Sequence, residues 1–187
     1  MASIYKAFIN DISEEQYEAE IKKQTIYRLK SISQKNKFEQ KGIITGYILL
    51  RRAVNEIYNT DEYTLKYVKH KPVLPFCNIS LSRSGKLVVL AISDRSIGVD
   101  SETITGIKKR NRYFMFTDKE NYYVNKLSHG VEERYWEIYS KKYAYVKMMG
   151  YNEGKIAEID VTDISGVEFK TEKFKNHIIT YCEKIVK

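Results

Sequence analysis

The chain has 187 residues and a formal net charge of +8 at pH 7, with 43% hydrophobic and 30% charged residues. This length suits one domain or two small lobes, and the composition is typical of a globular protein with a hydrophobic core. No apolar run approaches the roughly 20 residues that a membrane-spanning helix requires. The first residues lack the basic and apolar blocks of a signal peptide, so we expect a cytoplasmic protein with no membrane partner.

The excess of basic residues predicts an anionic partner, such as a nucleic acid, a phosphorylated ligand or an acidic protein. Lysines and arginines are spread along the chain rather than gathered in one arm, which disfavours nucleic acid. Cys77 and Cys182 occur without a CxxC motif or paired histidines. We expect them to be buried thiols in a reducing cytoplasm, and not metal ligands.

In chain order, the first half is predicted to contain two helices followed by strands. A helix is predicted from residue 13 to about 29, and a stronger one from 33 to about 58, where apolar residues recur at steps of three and four. Two prolines predict irregular structure at 71–75. Residues 87–92 are strongly apolar and predict a buried strand, and the next strand starts at Ile97. Short extended segments are predicted at 64–68 and 75–80.

The second half repeats this mixture of helices and strands. Thr117 and Glu120 form a capping box at the start of a helix that we expect to reach about Leu127. A long helix is predicted from Val131 to Met149, where Gly150 ends it. The tail from 166 to 184 alternates in polarity and predicts two strands with a turn near Lys175 and Asn176. The predicted fold class is therefore α+β.

Asp100 and Glu102 stand at the end of an apolar run, in the stretch IGVDSE. Residues i and i+2 of a strand point the same way, with Cα atoms about 7 Å apart. Two unpaired carboxylates at this spacing repel each other unless a cation offsets their charge. Mg²⁺ takes one or two protein carboxylates together with waters and phosphate oxygens. A strand end carrying two hydrated acids would have the same spacing, so both interpretations stay open.

The long helix carries basic and aromatic residues in two stripes. Lys142 shares its stripe with apolar side chains, so it must either extend to solvent or meet an anion. The neighbouring stripe carries Tyr139, Tyr143 and Lys147 at steps of four residues.

Residues 78–102, NISLSRSGKLVVLAISDRSIGVDSE, resemble the core of the surfactin-type 4′-phosphopantetheinyl transferases. In that family a serine-rich turn of the kind S-x-S-H-S-G and an apolar strand precede G-[IV]-D-x-E. Three further segments resemble family motifs in the family's order, namely KPVLP at 71–75, FTDKE at 116–120 and YSKKYAYVKMMG at 139–150. The resemblance covers about residues 40–185.

The resemblance implies two similar α+β halves related by a pseudo-twofold, residues 1–98 and 99–187, in one compact monomeric unit with the active site between them. It implies the Mg²⁺-dependent transfer of 4′-phosphopantetheine from coenzyme A to a serine of an apo acyl or peptidyl carrier protein. Adenosine 3′,5′-bisphosphate would be released. Coenzyme A and an acidic carrier protein both agree with the basic charge of the chain.

The resemblance also implies roles for individual residues. Asp100 and Glu102 match the Mg²⁺ ligands of the family. The residues that match coenzyme A contacts are Arg51, Lys71, Ser82, Arg83, Ser84, Lys142 and Lys147. A solvated loop lysine remains an alternative for Lys71, and a salt bridge remains an alternative for Arg51.

Three positions depart from the family pattern. Arg83 replaces a histidine, although arginine also binds phosphate, and Tyr139 replaces a tryptophan. Tyr143 replaces the glutamate that completes the metal site and is proposed to act as the base. A phenol has an ordinary pKa of about 10 and is mostly neutral at pH 7. Glu120 is the candidate substitute, although its capping box explains it without chemistry.

These departures leave other functions open. A degenerate relative would bind coenzyme A or a carrier protein without turnover. A nucleic-acid binder would need a localised basic face with stacking aromatic side chains.

Overall fold

The computed structural model describes residues 2–68, 71–107, 115–150 and 153–185. The strands are β1 (Ser3–Phe8), β2 (Lys66–Val68), β3 (Lys71–Val73), β4 (Asn78–Ser84), β5 (Leu87–Ser93), β6 (Ile97–Thr103), β7 (Val167–Phe174) and β8 (His177–Lys184). The α-helices are α1 (Glu14–Lys22), α2 (Ile26–Ser33), α3 (Lys37–Tyr58), α4 (Asp118–Asn125) and α5 (Val131–Met149). Short 3₁₀ turns lie at Ile9–Asp11 and Glu153–Glu158. The mixture confirms the α+β class. No helix in the described ranges is long and apolar enough to cross a membrane.

The strands form two antiparallel sheets, a larger one in the order β1-β5-β4-β3-β2 and a smaller one in the order β6-β8-β7. Each sheet belongs to a unit of the chain in which a strand, a long helix and a two-strand hairpin follow one another. In both sheets the last strand of the unit lies between the other two. The first unit is β1, α3, β4 and β5, and the second is β6, α5, β7 and β8. The hairpin turns also correspond, because Gly85 and Lys175 both have positive φ, at 55° and 54°.

The structure differs from the sequence-based expectations in three of its elements. β1 was not predicted. The helix expected at 13–29 is two helices, because the Thr25 side chain accepts a hydrogen bond from Arg28 N and starts α2. Residues 71–73 form β3 although irregular structure was expected there. The expected division into residues 1–98 and 99–187 stays a prediction, and β6 begins at Ile97.

A serine ladder on β4 joins the two sheets. Its members are alternate residues, so their side chains point to one side of the strand. Their Oγ atoms accept hydrogen bonds from backbone N–H groups of β6, in the pairs Ser80–Val99, Ser82–Ser101 and Ser84–Thr103, at 3.0, 3.1 and 2.8 Å. β6 is an edge strand of its sheet. The ladder therefore satisfies backbone donors that an edge would leave unpaired, and it fixes β6 against β4.

Gly98 lets α5 lie directly on β6. A Cβ atom at this position would lie 1.9 Å from Ala144 O and 2.6 Å from Met148 N. Both are backbone atoms of α5, so the helix as a whole would have to move.

We expect Gly98→Ala to lower the free energy of unfolding by about 1–3 kcal/mol or more, as overpacking typically does. Denaturant titration measures the change. Gly106→Ala is the matched control, because a Cβ there meets nothing within 4 Å. An equal effect of the two substitutions would show that α5 can shift at little cost.

Candidate functional site

The candidate site lies between β6 and α5. Asp100 and Glu102 share the face of β6 that Gly98 presents to α5, because alternate residues of a strand point the same way. The stripe of α5 at Tyr139, Tyr143 and Lys147 faces them. The rings of Tyr139 and Tyr143 are 4.7 Å apart, which confirms that these residues share a stripe.

Asp100 is 4% exposed and forms the centre of the site. Its Oδ1 accepts hydrogen bonds from Lys147 Nζ at 2.7 Å and from Ser82 Oγ at 2.9 Å. Lys147 also donates to Ser82 Oγ at 3.0 Å. Asp100 Oδ2 is buried and has no hydrogen-bond partner among the described residues. Burial raises the pKa of Asp100 above its ordinary value, while Lys147 and Ser82 oppose the rise. The ionised carboxylate is therefore not fully compensated.

Glu102 lies at the more open end of the site and is half-buried. Ser84 Oγ donates to its Oε2 at 3.4 Å, and Ser84 also contacts Thr103 Oγ1 at 3.0 Å. The serines that the resemblance matched to coenzyme A contacts therefore hold the backbone of β6 and orient both carboxylates.

Tyr139 and Tyr143 lie side by side on the stripe of α5, and Tyr139 lies near the charges of Glu102 and Asp100. Burial raises the pKa of the Tyr139 phenol, as do its hydrogen bond to Tyr143 and the nearby charges of Glu102 and Asp100, in that order of size. Tyr139 therefore stays protonated at neutral pH. Neither phenol supplies the anionic oxygen that a glutamate at 143 would bring.

The oxygen donors of the site meet the requirements of Mg²⁺ only in part. In the described part of the chain, no group of three or more His, Cys, Asp or Glu residues is arranged to hold a metal ion. Asp100 and Glu102 offer two carboxylates, and the buried Oδ2 of Asp100 lacks a partner. Mg²⁺ accepts one or two carboxylates when waters and phosphate oxygens complete its shell. The residues therefore fit a Mg²⁺ shared with a phosphate ligand, and not one held by the protein alone.

Lys142 and Glu120 form an ion pair in the interior, away from Asp100. Their side chains are both 0% exposed, and Lys142 Nζ lies 2.7 Å from Glu120 Oε2. Lys142 also donates to the carbonyl oxygens of Ile156, at 3.0 Å, and Ile159. Glu120 accepts hydrogen bonds from Thr117 N at 2.8 Å and from a second backbone N–H. The structure thus does not bring these two residues to the site, although the sequence suggested a coenzyme A contact and a substitute base.

The two arginines also lie elsewhere. Arg51 donates to Glu20 Oε2 at 2.9 Å and Oε1 at 3.1 Å, which is the salt bridge that the sequence left open. Arg83 points to the face of β4 opposite the serine ladder. It donates to Glu39 O at 3.3 Å, and its guanidinium lies 5.7 Å from the ring of Phe38.

Lys71 lies next to the end of α5. Its Nζ donates to Met148 O at 3.0 Å, one residue beyond Lys147. Burial lowers the pKa of Lys71 from its ordinary value. The structure therefore brings Lys71 and Lys147 to the same end of the helix.

No family model and no curated protein matches this chain. The assignment of a function therefore depends on the geometry of the site and on the sequence motifs.

A cavity of about 380 Å³ lies between α2, α3 and the larger sheet, on the face of β4 opposite the serine ladder, since Ile79 and Leu81 line it. Its walls include Tyr47, Tyr67 and Leu81, and Arg28 lies among them. Arg28 lies 5.5 Å from the ring of Tyr47 and donates to Leu65 O at 2.9 Å. The cavity thus combines aromatic and apolar walls with one cation.

The sequence pattern did not predict this cavity, because its walls come from six separate elements, α2, α3, β2, β3, β4 and β5. One signal was present, since Gly46 interrupts the apolar pattern of α3 and a Cβ there would meet Leu81 Cδ2 at 3.0 Å. Pro72 also lines the cavity, directly after Lys71. Lys71 and Pro72 are neighbours on β3 and point to opposite faces of the sheet, Lys71 towards α5 and Pro72 into the cavity.

Proposed function

We propose that this protein transfers 4′-phosphopantetheine from coenzyme A to a serine of an acidic apo carrier protein, as the family resemblance implies. The observation that carries the proposal is the placement of the D-x-E motif. Asp100 and Glu102 lie on the first strand of the second unit and face Tyr139, Tyr143 and Lys147 across β6 and α5.

The matching topology of the two units supports a pseudo-twofold relation between them. A strand, a long helix and a hairpin follow one another in both, with the last strand in the centre. The site lies where the units meet, since Ser82 of the first unit and Lys147 of the second both contact Asp100. This is the place between two halves at which the resemblance puts the active site.

We place the pyrophosphate of coenzyme A at Lys71, Lys147 and the two carboxylates, because the structure brings both lysines to the end of α5 beside Asp100. Lysines bind phosphate as point charges.

In the proposed reaction the carrier serine Oγ forms a bond to the phosphorus that bears the pantetheine arm. The bond from that phosphorus to the bridging oxygen breaks, adenosine 3′,5′-bisphosphate leaves, and the proton of the serine hydroxyl passes to water. Asp100 and Glu102 would hold Mg²⁺, whose charge stabilises the charge that develops during phosphoryl transfer. Lys71 and Lys147 bind and orient phosphate oxygens. Neither Glu120 nor Tyr143 offers a carboxylate base at this place, so we expect slow transfer.

A second candidate is a protein that binds coenzyme A without turnover. The contact of Lys147 with Asp100 favours it, and so does the phenol of Tyr143 in place of a carboxylate. Both candidates share the ligand and differ in the chemistry.

One experiment separates the candidates. An apo carrier protein is incubated with this protein, coenzyme A and Mg²⁺, and its mass is measured. We expect a gain of one phosphopantetheine, and we expect Asp100→Asn to abolish the gain because a neutral amide binds Mg²⁺ poorly. Asp94→Asn, an acid exposed on the surface, is the control and should keep the gain.

Calorimetry with coenzyme A completes the test. Lys71→Ala should weaken binding by about 1–3 kcal/mol, the usual range for a hydrogen bond to a charged group. Coenzyme A binding without a mass gain would favour the second candidate. The absence of both binding and mass gain would contradict both candidates.

A further inference from the structure

The ammonium of Lys147 already compensates the charge of Asp100, which we propose as a Mg²⁺ ligand. Lys147 Nζ is 2.7 Å from Asp100 Oδ1 and 3.0 Å from Ser82 Oγ. The other carboxylate oxygen, Oδ2, is buried and without a partner among the described residues. Asp100 therefore has one oxygen paired with a cation of the protein and one buried oxygen that the described residues leave unsatisfied.

A divalent cation at Oδ2 would lie within a few ångströms of the Lys147 ammonium. Like charges at such a distance repel strongly at a site shielded from water. The two carboxylates also leave most of a Mg²⁺ shell to waters and phosphate oxygens. Metal binding is therefore opposed while Lys147 stays on Asp100, and it is favoured if Lys147 leaves.

Lys147 has the freedom to leave. Its side chain is 32% exposed, whereas that of Asp100 is 5% exposed. Four methylene groups allow the ammonium to swing while the backbone of α5 stays in place. Lys71 is held nearby at Met148, so an anion that reaches this end of α5 meets cationic groups from β3 and from α5.

We propose that Lys147 is a displaceable counter-ion, which holds Asp100 in the absence of metal and moves to a phosphate of the ligand when a divalent cation binds Asp100. The cation and the phosphate ligand then bind cooperatively, since each removes an obstacle to the other. This inference rests on the proposed function in one respect, because coenzyme A is taken as the source of the phosphate.

The test measures the affinity for Mn²⁺, a paramagnetic substitute for Mg²⁺, with and without coenzyme A. The electron paramagnetic resonance signal of unbound Mn²⁺ decreases as the ion binds, and this measurement does not depend on turnover. For the unaltered protein, we expect coenzyme A to tighten Mn²⁺ binding by roughly 10–100-fold, within the usual range of coupling between sites. For Lys147→Met, we expect tighter Mn²⁺ binding than in the unaltered protein when coenzyme A is absent, and a smaller effect of coenzyme A.

Lys141→Met is the matched control. It removes the same charge from the same helix, but Lys141 pairs with Glu137 at 2.6 Å and not with Asp100. Its Mn²⁺ affinity and coupling should equal those of the unaltered protein. If Lys147→Met unfolds, Lys147→Gln replaces it, and thermal melting verifies the fold of each variant.

The inference is overturned if Lys147→Met binds Mn²⁺ alone no more tightly than the unaltered protein, or if Lys141→Met behaves in the same way as Lys147→Met. It is also overturned if no variant binds Mn²⁺ under either condition. Two outcomes distinguish this inference from the proposed function. Coupling without a mass gain on the carrier protein would support the exchange of Lys147 and contradict the transfer. A mass gain without coupling would support the transfer and contradict the exchange.

Discussion

Tyr143→Glu should tighten Mg²⁺ binding and accelerate transfer, the latter by about 10²–10⁴-fold, which is the usual contribution of a general base. The substitution places a carboxylate on the stripe of α5 that faces Asp100 and Glu102. A third anionic oxygen adds a hard ligand for Mg²⁺. It also gives the carrier serine a proton acceptor that the neutral phenol of Tyr143 does not provide.

The same variant should show a stability that depends on metal. Without Mg²⁺, a third carboxylate near two others adds repulsion, so the melting temperature should fall. Mg²⁺ should restore it, because a ligand that binds the folded state stabilises that state. The rate is measured as phosphopantetheine transferred per unit time, and the melting temperature is measured with Mg²⁺ and with a chelator.

Tyr143→Gln is the control for this prediction. It removes the contact with Tyr139 and has nearly the size of glutamate, but it adds no charge. We expect it to bind Mg²⁺ and to transfer no better than the unaltered protein. Equal rates for Tyr143→Glu and Tyr143→Gln would contradict a role for a carboxylate at 143. Rapid transfer by the unaltered protein would show that a water or another group already accepts the proton.

Local signals in the sequence predicted much of the fold. The capping box at Thr117 and Glu120 is present, and α5 runs from Val131 to Met149 with Gly150 in the left-handed conformation after it. These features depend on residues near one another in the chain, so the pattern carries the information. β1 escaped prediction because its burial comes from pairing with β5, which lies some eighty residues away in sequence.

The candidate site was predicted in part. The stripe of Tyr139, Tyr143 and Lys147 follows from helical periodicity, and the spacing of Asp100 and Glu102 follows from strand periodicity. Periodicity cannot show which partner a side chain meets. The sequence required Lys142 to reach solvent or an anion, but the choice of Glu120 depends on how α4 packs against α5. For the same reason the serine ladder could not be foreseen.

The buried pair of Lys142 and Glu120 gives the second large expected effect. Lys142→Met should lower the free energy of unfolding by about 3–5 kcal/mol, because it leaves the carboxylate of Glu120 buried without its cation. Burial already lowers the pKa of Lys142, and the contact with Glu120 opposes that shift. Denaturant titration measures the loss. Lys173→Met, which breaks the exposed pair with Glu133, should cost no more than about 1 kcal/mol.

The double variant Lys142→Met and Glu120→Gln decides between an interior role and a ligand role for Lys142. It removes both charges, so it should recover much of the stability that the single variant loses. If Lys142 is confined to the interior, as its 0% exposure indicates, the folded double variant should bind coenzyme A as tightly as the unaltered protein. If the family resemblance gives the role of Lys142, binding should instead weaken by about 1–3 kcal/mol, as for the loss of one hydrogen bond to a charged group. Two results together would show that Lys142 binds coenzyme A and would contradict the packing described for α4 and α5. They are weakened binding of that size in the double variant and little loss of stability in the single variant Lys142→Met.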